Sequence, residues 1–463
     1  MLIEPLTAAP LPAAVCDAFL DAPGCLLFDS AGGLPSLARY SYLTADPFLL
    51  VTADADGLFL RRGGAGHRLT GDPFYALGGL LRDYQLPMHD NLPPFQGGAA
   101  GYWGYELGRA VERLPGRAAE DLPLPRLWVG FYDWVLAHDH QLGRSWVVAT
   151  GLPNGTGAAA RRRAEWVYER LGRGRGYAAE GATAAATSRV EGSTFSRVAY
   201  EGAVDRVKAY IVAGDVYQVN LSQRLHAPLP CAPWPLYQRL RRVSPAPFGA
   251  FLRVADHAAI LSASPERFLR LDGRRVETRP IKGTRPRGET AAEDVAWRDE
   301  LRCSEKDRAE NLMIVDLMRN DLGRVCRSGS VRVPQLFALE AHPTVWQQVS
   351  VVTGELEGHV GAIDLLRACF PGGSVTGAPK IRAMEIIDEL EPVARGVYCG
   401  AIGYIAFNGA MDTSIPIRTI VATGDTAYIN VGGGIVADSD PAEEYRETLD
   451  KARGAVHALG AAR

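Results

Sequence analysis

Short runs of β-branched and aromatic residues, each closed by Gly, Asp or Pro, dominate residues 25–151. Runs of this kind are typical of strands that are joined by turns. They lie at 25–28, 40–43, 48–52, 58–61, 127–138 and 146–150. Strands that follow one another without long helices between them favour antiparallel sheets over a doubly wound parallel sheet.

Beyond residue 193 long helices alternate with strands. Apolar residues at helical spacing predict a helix over 196–213, a long helical stretch over 291–322 that is either continuous or broken, and a final helix from about 441 to 459. Further strands are predicted at 216–225, 329–338, 348–356, 397–407, 413–421 and 427–431, with three or four more within 247–281. The pattern predicts an α+β fold with large, mostly antiparallel sheets.

A stretch rich in small and polar residues separates these two patterns. Residues 152–192 combine an Arg-rich helix with segments rich in Gly, Ala, Thr and Ser, which are typical of an exposed connector. We therefore predict an N-terminal lobe over 1–190, whose connector occupies about 152–192, and a second lobe over 193–463.

Charge and cysteine usage exclude several classes of protein. A net charge of −3 over 463 residues disfavours a nucleic-acid or membrane-surface partner. The seven cysteines are scattered singly, so they do not form a disulfide framework. Residues 1–20 lack the basic segment and apolar core of a signal peptide, and no apolar run approaches the roughly 18 residues of a membrane span. We expect a cytoplasmic protein.

Lys282 stands between a proline-stiffened segment and Gly283, at the end of a strand-like run. A lysine that is held in this way can act as a nucleophile or base when it loses its proton. Glu266 precedes it by sixteen residues, a separation that suits two adjacent strands and would bring an acid beside the lysine. The alternative for each residue is an ordinary surface charge.

Two predicted helices each carry a pair of acids three residues apart. Asp307 and Glu310 form one pair, and Glu444 and Glu447 form the other. This spacing places both carboxylates of a pair on one helical face. If the two faces meet, their oxygens suit Mg²⁺ that keeps several of its waters. The alternative is that both faces are solvated.

Two glycine-rich segments resemble nucleotide loops without meeting their requirements. In residues 370–380, Ala378 stands where a phosphate-binding loop has lysine. Residues 432–437 have the dinucleotide spacing, but no acidic residue follows about 20 positions later. We expect both segments to line a site for another ligand. Arg418, in a strand-like segment, is a candidate for binding an anion.

Seven stretches, taken together and in this order, resemble the chorismate-binding enzymes, a family that includes anthranilate, aminodeoxychorismate, isochorismate and salicylate synthases. They are GDVYQVNLSQR (214–224), SASPERF (262–268), ETRPIKGTRPRG (277–288), DRAENLMIVDLMRNDLGR (307–324), FPGGSVTGAPKIRAMEIIDELEP (370–392), GYIAFNGAMDTSIPIRT (403–419) and GGGIVADSDPAEEYRET (432–448). Residues 26–30, 38–43 and 97–106 resemble the N-terminal half of the same family. The resemblance implies the anthranilate-synthase-like fold, in which antiparallel sheets form a sandwich flanked by helices.

The resemblance also implies roles for individual residues. Lys282 would attack chorismate at C2 while Glu266 protonates the departing C4 hydroxyl. Glu310 and Glu447 would hold Mg²⁺, with Asp307 and Glu444 close by. The implied substrate-binding residues are Gln218, Thr284, Thr376, Gly377, Lys380, Tyr404, Arg418, Gly432, Gly433 and Gly434.

Two positions, 218 and 282, separate the chemistries within the family, and a third, 347, departs from the anthranilate synthases. Gln218 stands where the members that add water have a lysine, and an amide cannot take a proton from water. Lys282 stands where anthranilate synthases usually have alanine, which implies amination of chorismate to 4-amino-4-deoxychorismate. Gln347 stands where anthranilate synthases have a histidine. The alternatives are an anthranilate synthase subunit and, more remotely, a non-catalytic regulatory subunit.

The resemblance further implies a partner and a second ligand. No cysteine of the chain stands in a Gly-x-Cys-x-Gly turn, so ammonia is expected from a separate glutamine amidotransferase subunit. Some members bind tryptophan in the N-terminal lobe. Ser30, Arg39, Tyr40 and Ser41 fall near the motif of that pocket.

Overall fold

Two antiparallel sheets face each other and carry helices on their outer sides. The computed structural model describes residues 1–7, 9–173, 187–343 and 345–460. The central part of the predicted connector, residues 174–186, lies outside the described residues. Within the described ranges, no helix is both long and apolar enough to cross a membrane.

The helices are α1 Pro12–Val15, α2 Pro73–Asp83, α3 Gly157–Arg173, α4 Arg197–Val212, α5 Pro233–Val243, α6 Ala291–Cys303, α7 Glu305–Gly323, α8 Ala362–Cys369, α9 Lys380–Leu390 and α10 Pro441–Ala458. Short 3₁₀ helices occupy Cys16–Phe19, Tyr105–Ala110 and Gly373–Val375.

The strands before the connector are β1 Leu2–Leu6, β2 Leu26–Asp29, β3 Tyr40–Thr44, β4 Leu49–Asp54, β5 Gly57–Arg62, β6 Ala65–Leu69, β7 Gly98–Trp103, β8 Leu127–Tyr132, β9 Trp134–Asp139 and β10 Arg144–Ala149. Those after it are β11 Gly192–Ser193, β12 Gln218–Pro228, β13 Phe248–Ala255, β14 Ala258–Ser264, β15 Arg267–Asp272, β16 Arg275–Thr278, β17 Ile281–Pro286, β18 Arg332–Ala341, β19 Val345–Glu355, β20 Gly377–Ala378, β21 Ala401–Ala406, β22 Met411–Ser414, β23 Thr419–Thr423 and β24 Thr426–Ile435.

Each sheet combines strands from both sides of the connector. The first sheet has the order β1-β10-β9-β3-β2-β13-β14-β23-β24-β12-β11, with β20 also paired to β12. The second has the order β17-β19-β16-β15-β22-β21-β7-β8-β4-β5-β6, with β18 also paired to β19. The predicted division near residue 190 therefore separates two stretches of sequence that share both sheets.

The space between the sheets is filled by aromatic and aliphatic side chains. One buried cluster contains Leu26 and Tyr42 from the first sheet together with Tyr102, Trp128 and Tyr404 from the second. Two other clusters pack the outer faces of the sheets against helices. Since burial of apolar area is the main favourable term in folding, these three layers hold the sandwich together. The predicted α+β sandwich of antiparallel sheets is confirmed.

The strand predicted over 413–421 is wrong, because the chain changes sheets within it. Ser414 ends β22 in the second sheet, and Thr419 begins β23 in the first. Pro416 lies between them and has no N–H to donate to a sheet. Arg418 has a left-handed backbone with a φ of +52°. The bend places Arg418 where the chain passes from one sheet to the other.

The helical stretch over 291–322 is broken at Ser304. This residue has an extended backbone, with a φ of −63° and a ψ of 107°, and its side chain accepts a hydrogen bond from the N–H of Asp307. Ser304 therefore caps α7, as serine commonly does at a helix N-terminus. The cap places Asp307 and Glu310 in the first two turns of α7.

A buried ion pair ties the end of α9 to β12 and to the 3₁₀ helix Gly373–Val375. The guanidinium of Arg395 donates to the carboxylate of Glu391 over 2.6 and 2.9 Å. It also donates to the carbonyl oxygens of Val375 (2.8 Å) and Asn220 (2.6 Å). Glu391 in turn accepts from the N–H of Ser222 over 2.8 Å. One arginine thus links three segments.

We expect Arg395→Met to lower the free energy of unfolding by about 3–5 kcal/mol, because it leaves the carboxylate of Glu391 buried and unpaired. Urea unfolding followed by tryptophan fluorescence would measure this. The half-exposed Arg382, which pairs with Asp215 over 2.7 Å, supplies the control, since Arg382→Met should cost less than about 1 kcal/mol. Equal losses in the two variants would contradict the role given to Arg395. Adding Glu391→Gln to Arg395→Met should recover part of the loss.

Candidate active site

Lys282 lies in a bulge of the second sheet. The register between β17 and β19 shifts so that Lys282 and Gly283 together face the single residue Gln348. Bulges re-aim side chains and are frequent beside active sites. Here the bulge directs Lys282 to α7, where its Nζ lies 3.8 Å from Oε2 of Glu310. Its side chain is only 12% exposed.

The bulge requires glycine at position 283. Gly283 has a φ of +79°, a backbone conformation that residues with a side chain rarely adopt. A methyl group there would also lie 2.8 Å from Cδ1 of Leu301 and 2.9 Å from Cγ of Asp307. The glycine that follows Lys282 therefore permits the close packing of β17 against α6 and α7.

Glu266 is buried between β14 and β15 and faces Lys282. Burial raises the pKa of its carboxyl to about 7, although the hydrogen bond from Ser374 and the charge of Lys282 favour the ionised form. The hydroxyl of Ser374 donates to Oε1 of Glu266 over 2.6 Å. The two residues do not come from adjacent strands as predicted, since β15 pairs with β16 and β17 pairs with β19. Near neutral pH this carboxyl can either donate or accept a proton.

Arg418 presents a half-buried guanidinium near Glu266. Burial lowers its pKa, and the charge of Glu266 opposes that effect. Within the described ranges the guanidinium donates no hydrogen bond, so its donors are available to a ligand. A planar fork of this kind recognises carboxylates. A left-handed backbone held at a sheet-to-sheet bend is also typical of functional sites.

Gln218 and Gly434 form the wall opposite the bulge. A methyl group on Gly434 would lie 2.1 Å from Nε2 of Gln218 and 3.2 Å from Nζ of Lys282, so all three groups surround one point. The amide oxygen and nitrogen of Gln218 are buried and have no partner among the described residues. The side-chain amide oxygens of Gln347 and Gln348 are likewise buried and have no partner among the described residues. Because buried polar groups are normally paired, the free amide of Gln218 indicates a place for a polar ligand.

The three glycines of β24 separate Lys282 from the acidic helix α10. Their backbone pairs with β12 on one edge. β23 ends its pairing at Ile429, so that no strand among the described residues covers the other edge. Alternate N–H groups of Gly432–Gly434 therefore point to an open edge. A methyl group on Gly433 would lie 3.0 Å from Oε2 of Glu444.

Helices α7 and α10 bring three glutamates together. Burial raises the pKa of Glu310, and the negative charge of Glu447 adds to the effect. Burial also raises the pKa of Glu444, whose Oε1 accepts a 2.6 Å hydrogen bond from Ser439. Lys451, 2.7 Å from Oε1 of Glu447, lowers the pKa of that carboxyl. Glu310, Glu444 and Glu447 therefore form a carboxylate cluster of like charges.

The chemistry of the carboxylate cluster fits Mg²⁺. Its donors are all oxygens, and the charges of Glu310 and Glu447 oppose each other, which a divalent cation would relieve. In the part of the chain that the structure describes, no three acidic, His or Cys side chains are arranged to hold a metal ion. Mg²⁺ needs only one or two carboxylates when waters and substrate supply the rest. Asp307 is engaged elsewhere, since Arg285 lies 3.1 Å from its Oδ2.

Two residues of the predicted substrate site, Thr376 and Gly377, lie against β12, the strand that begins at Gln218. The hydroxyl of Thr376 donates to the carbonyl oxygen of Gly372 over 3.0 Å. A methyl group on Gly377 would lie 2.1 Å from the backbone oxygen of Gln218. Thr284 is exposed and lies beside the bulge, where its backbone faces Gln347.

Lys380 and Tyr404 are not brought to Lys282. The Nζ of Lys380 lies 2.5 Å from Oδ2 of Asp321. Asp321 is eleven residues, or about 16 Å of helix, beyond Glu310 along α7. Tyr404 stacks on Phe95 between the sheets, with ring centroids 4.5 Å apart. Its ring lines a different cavity.

This inter-sheet cavity has a volume of about 320 Å³ and is lined by Ser30, Arg39, Tyr40 and Tyr404 among others. Arg39 is paired with Asp139 over 2.8 Å. The hydroxyl of Ser30 donates to the carbonyl oxygen of Tyr40 over 2.7 Å. Ser41 lies behind the cavity wall, where its hydroxyl accepts from the N–H of Ser30 and contacts His140.

Four neighbours of the site were not singled out from the sequence: Ser374, Ser439, Lys306 and Lys451. Lys451 could have been found, because it follows Glu447 by four residues on one helix and such pairs are in contact. Ser374 reaches Glu266 only through tertiary structure, so no local pattern marks it.

Comparisons with known proteins identify relatives over nearly the whole chain. A family model described as chorismate binding enzyme matches residues 74–457. Aminodeoxychorismate synthase component 1 of Salmonella typhimurium is 46% identical over 440 residues, which cover 94% of the chain and 93% of that protein. Anthranilate synthase component 1 of Thermus thermophilus is 44% identical over 406 residues, which cover 87% of the chain and 86% of that protein. The crystal structure of anthranilate synthase component I from Streptococcus pneumoniae matches with a TM-score of 0.79 at 32% identity, covering 90% of the chain and 92% of that structure.

We expect Glu266→Gln to remove a pH dependence of stability. In the native protein the carboxyl holds its proton up to a pH of about 7, whereas in the unfolded chain it loses the proton near its ordinary pKa of 4.5. The wild type should therefore lose up to about 3 kcal/mol of stability, relative to the variant, as the pH rises from about 4.5 to 7. Urea unfolding at several pH values would measure the difference.

The exposed Glu289 supplies the control, since Glu289→Gln should leave the pH dependence of the wild type unchanged. Parallel curves for the wild type and Glu266→Gln would show that the carboxyl of Glu266 is already ionised at pH 5.

Proposed function

The chain belongs to the chorismate-binding enzymes, and from that membership we propose that it is the first component of an aminodeoxychorismate synthase. In this role it converts chorismate and ammonia to 4-amino-4-deoxychorismate, a precursor of 4-aminobenzoate and folate. The observation that carries the proposal is a lysine amine set in a bulge beside a buried carboxyl whose pKa is about 7. The relatives named aminodeoxychorismate synthase component 1 support it.

Binding and orientation of chorismate fall to groups that have no partner within the described part of the chain. The guanidinium of Arg418 and the open-edge N–H groups of Gly432–Gly434 suit the carboxylates of the substrate. The buried amide of Gln218 can hydrogen-bond a polar group of the ring. It has no basic nitrogen, so it does not activate water for attack at C2.

Lys282 and Glu266 carry out the first chemical step. The amine of Lys282, once it has lost its proton, forms a bond to C2 as the ring double bonds shift and the bond from C4 to its hydroxyl breaks. Glu266 gives its proton to that hydroxyl, which leaves as water. Ammonia then bonds to C4 as the bond between C2 and Lys282 breaks, and the lysine is regenerated.

The carboxylate cluster would hold Mg²⁺ through Glu310 and Glu447, with Glu444 close by. When bound there, the ion would neutralise the charge of the ring carboxylate of the substrate. The carboxylate oxygens of the cluster, which come from α7 and α10, support this assignment.

Ammonia derived from glutamine is expected to come from a second protein. The chain has no Gly-x-Cys-x-Gly turn for a glutaminase nucleophile, and its relatives are named as first components. We propose a glutamine amidotransferase subunit as the partner.

We further propose that the inter-sheet cavity binds tryptophan. Its wall combines the aromatic ring of Tyr40 with the polar groups of Ser30 and Arg39, which suits an aromatic amino acid. Calorimetry with tryptophan should detect binding in the wild type and at least tenfold weaker binding in Tyr40→Ala. The exposed Tyr217 offers a control, because Tyr217→Ala should bind like the wild type. Equal affinity in all three proteins would contradict this assignment.

A product assay tests the proposed reaction. With chorismate, Mg²⁺ and ammonium at mildly alkaline pH, the wild type should form 4-amino-4-deoxychorismate. Lys282→Ala should lower the rate by at least about 100-fold, because both the nucleophile and its bond to C2 are lost. Arg275 is exposed on β16, the strand that precedes β17 in the chain, and Arg275→Ala should keep the rate of the wild type.

The same assay addresses the second candidate, an anthranilate synthase subunit, which the Thermus and Streptococcus relatives favour. Release of anthranilate and pyruvate by the wild type, with little change in Lys282→Ala, would establish that activity and make Lys282 a bystander.

A further inference from the structure

The carboxylate cluster is neutralised in this structure by lysines of the chain itself. Lys282 lies 3.8 Å from Glu310. Lys451 lies 2.7 Å from Glu447, and its Nζ also donates to the carbonyl oxygen of Gly432 over 2.9 Å. The ammonium of Lys451 is therefore held by a second partner, the backbone of β24, whereas that of Lys282 is confined by burial, since its side chain is only 12% exposed.

Lys306 differs from these two lysines in how it is held. It extends from the first turn of α7 to α10, where its Nζ lies 3.7 Å from Oε1 of Glu444. Its charge also acts on the carboxyls of Glu310 and Glu447, so one ammonium serves the whole carboxylate cluster. Its side chain is 47% exposed, whereas that of Glu444 is 5% exposed. Within the described ranges Lys306 donates no hydrogen bond.

These contacts describe an exposed cation beside a buried and fixed anion, the carboxylate of Glu444. Lysine carries a compact charge on a flexible four-carbon stem, and the exposed stem of Lys306 can move into solvent without breaking a hydrogen bond. The carboxylate of Glu444 cannot follow, because it is buried and hydrogen-bonded to Ser439. A divalent cation interacts with the same carboxylates more strongly than a single ammonium does.

We infer that Lys306 is a tethered counter-ion, which occupies the carboxylate cluster when no metal is bound and is displaced when Mg²⁺ binds. The inference rests on the proposed function only in assigning Mg²⁺ to this cluster. It makes Lys306 a residue that sets the affinity for the metal through competition.

Calorimetric titration of the full chain with MgCl₂, without chorismate, tests the inference. Lys306→Met should bind Mg²⁺ about tenfold more tightly than the wild type, because one competing charge is removed. Lys306→Arg, which keeps the charge, should stay within about twofold of the wild type. Arg319 lies on the same helix, pairs with Asp316 and is 51% exposed. Arg319→Gln also removes one positive charge and should leave the affinity unchanged.

Thermal unfolding gives a second readout that does not depend on turnover. Without metal, Lys306→Met should melt below the wild type, since the glutamates then lose a counter-ion. Saturating Mg²⁺ should raise its melting temperature by more than it raises that of the wild type.

Unchanged or weaker Mg²⁺ binding in Lys306→Met would overturn the inference and would make Lys306 a residue that orients Glu444. Absence of binding in every variant would overturn both the inference and the magnesium assignment. Formation of anthranilate in the product assay would refute the proposed reaction and leave the counter-ion role of Lys306 intact.

Discussion

The buried ion pair of Arg395 and Glu391 is the constraint on which the site depends. Its arginine binds the backbone of Val375, next to the serine that contacts Glu266, and the backbone of Asn220, two residues from Gln218. Two walls of the site therefore meet at one guanidinium. A pair this deeply buried contributes little net stability, because desolvation offsets the attraction. The ion pair instead fixes the relative positions of the segments that it joins, since separating them would leave a charge in the core without a partner.

Around this ion pair, the site brings together groups whose hydrogen bonds or charges are not fully paired by the protein. Among the residues that the structure describes, Arg418 has unused donors and Gln218 has an unpaired amide. Three glutamates lie near lysines that serve as their counter-ions. Burial raises the pKa of Glu266 to about 7, so that its carboxyl is close to half-protonated at neutral pH. Such arrangements cost free energy, which the surrounding sandwich must supply, and they are typical of sites prepared for a charged ligand. The ligand completes the pairing that the protein leaves open.

The sequence predicted where helices and strands lie along the chain better than it predicted which of them pair or pack together. Most of the helices and strands that were predicted have counterparts close to their predicted places, and the α+β sandwich is confirmed. The strand over 413–421 failed because its alternation continues across a change of sheet, which only the backbone of Pro416 and Arg418 reveals. The candidate site shows the same division. Lys282, Glu266, Gln218 and Arg418 are brought together, whereas Lys380 is bound to Asp321 and Tyr404 faces another cavity.

The sequence by itself determined the family, the residue types of the chemistry and the spacing that puts two acids on one helical face. These depend on motifs and on local periodicity, both of which a linear chain displays. Only the tertiary structure decided that Ser374 donates to Glu266, that Asp307 is diverted to Arg285 and that Lys306 reaches Glu444. Each of these contacts depends on how side chains from different elements pack across the site. Packing of this kind follows from the whole three-dimensional arrangement, which no short stretch of sequence encodes.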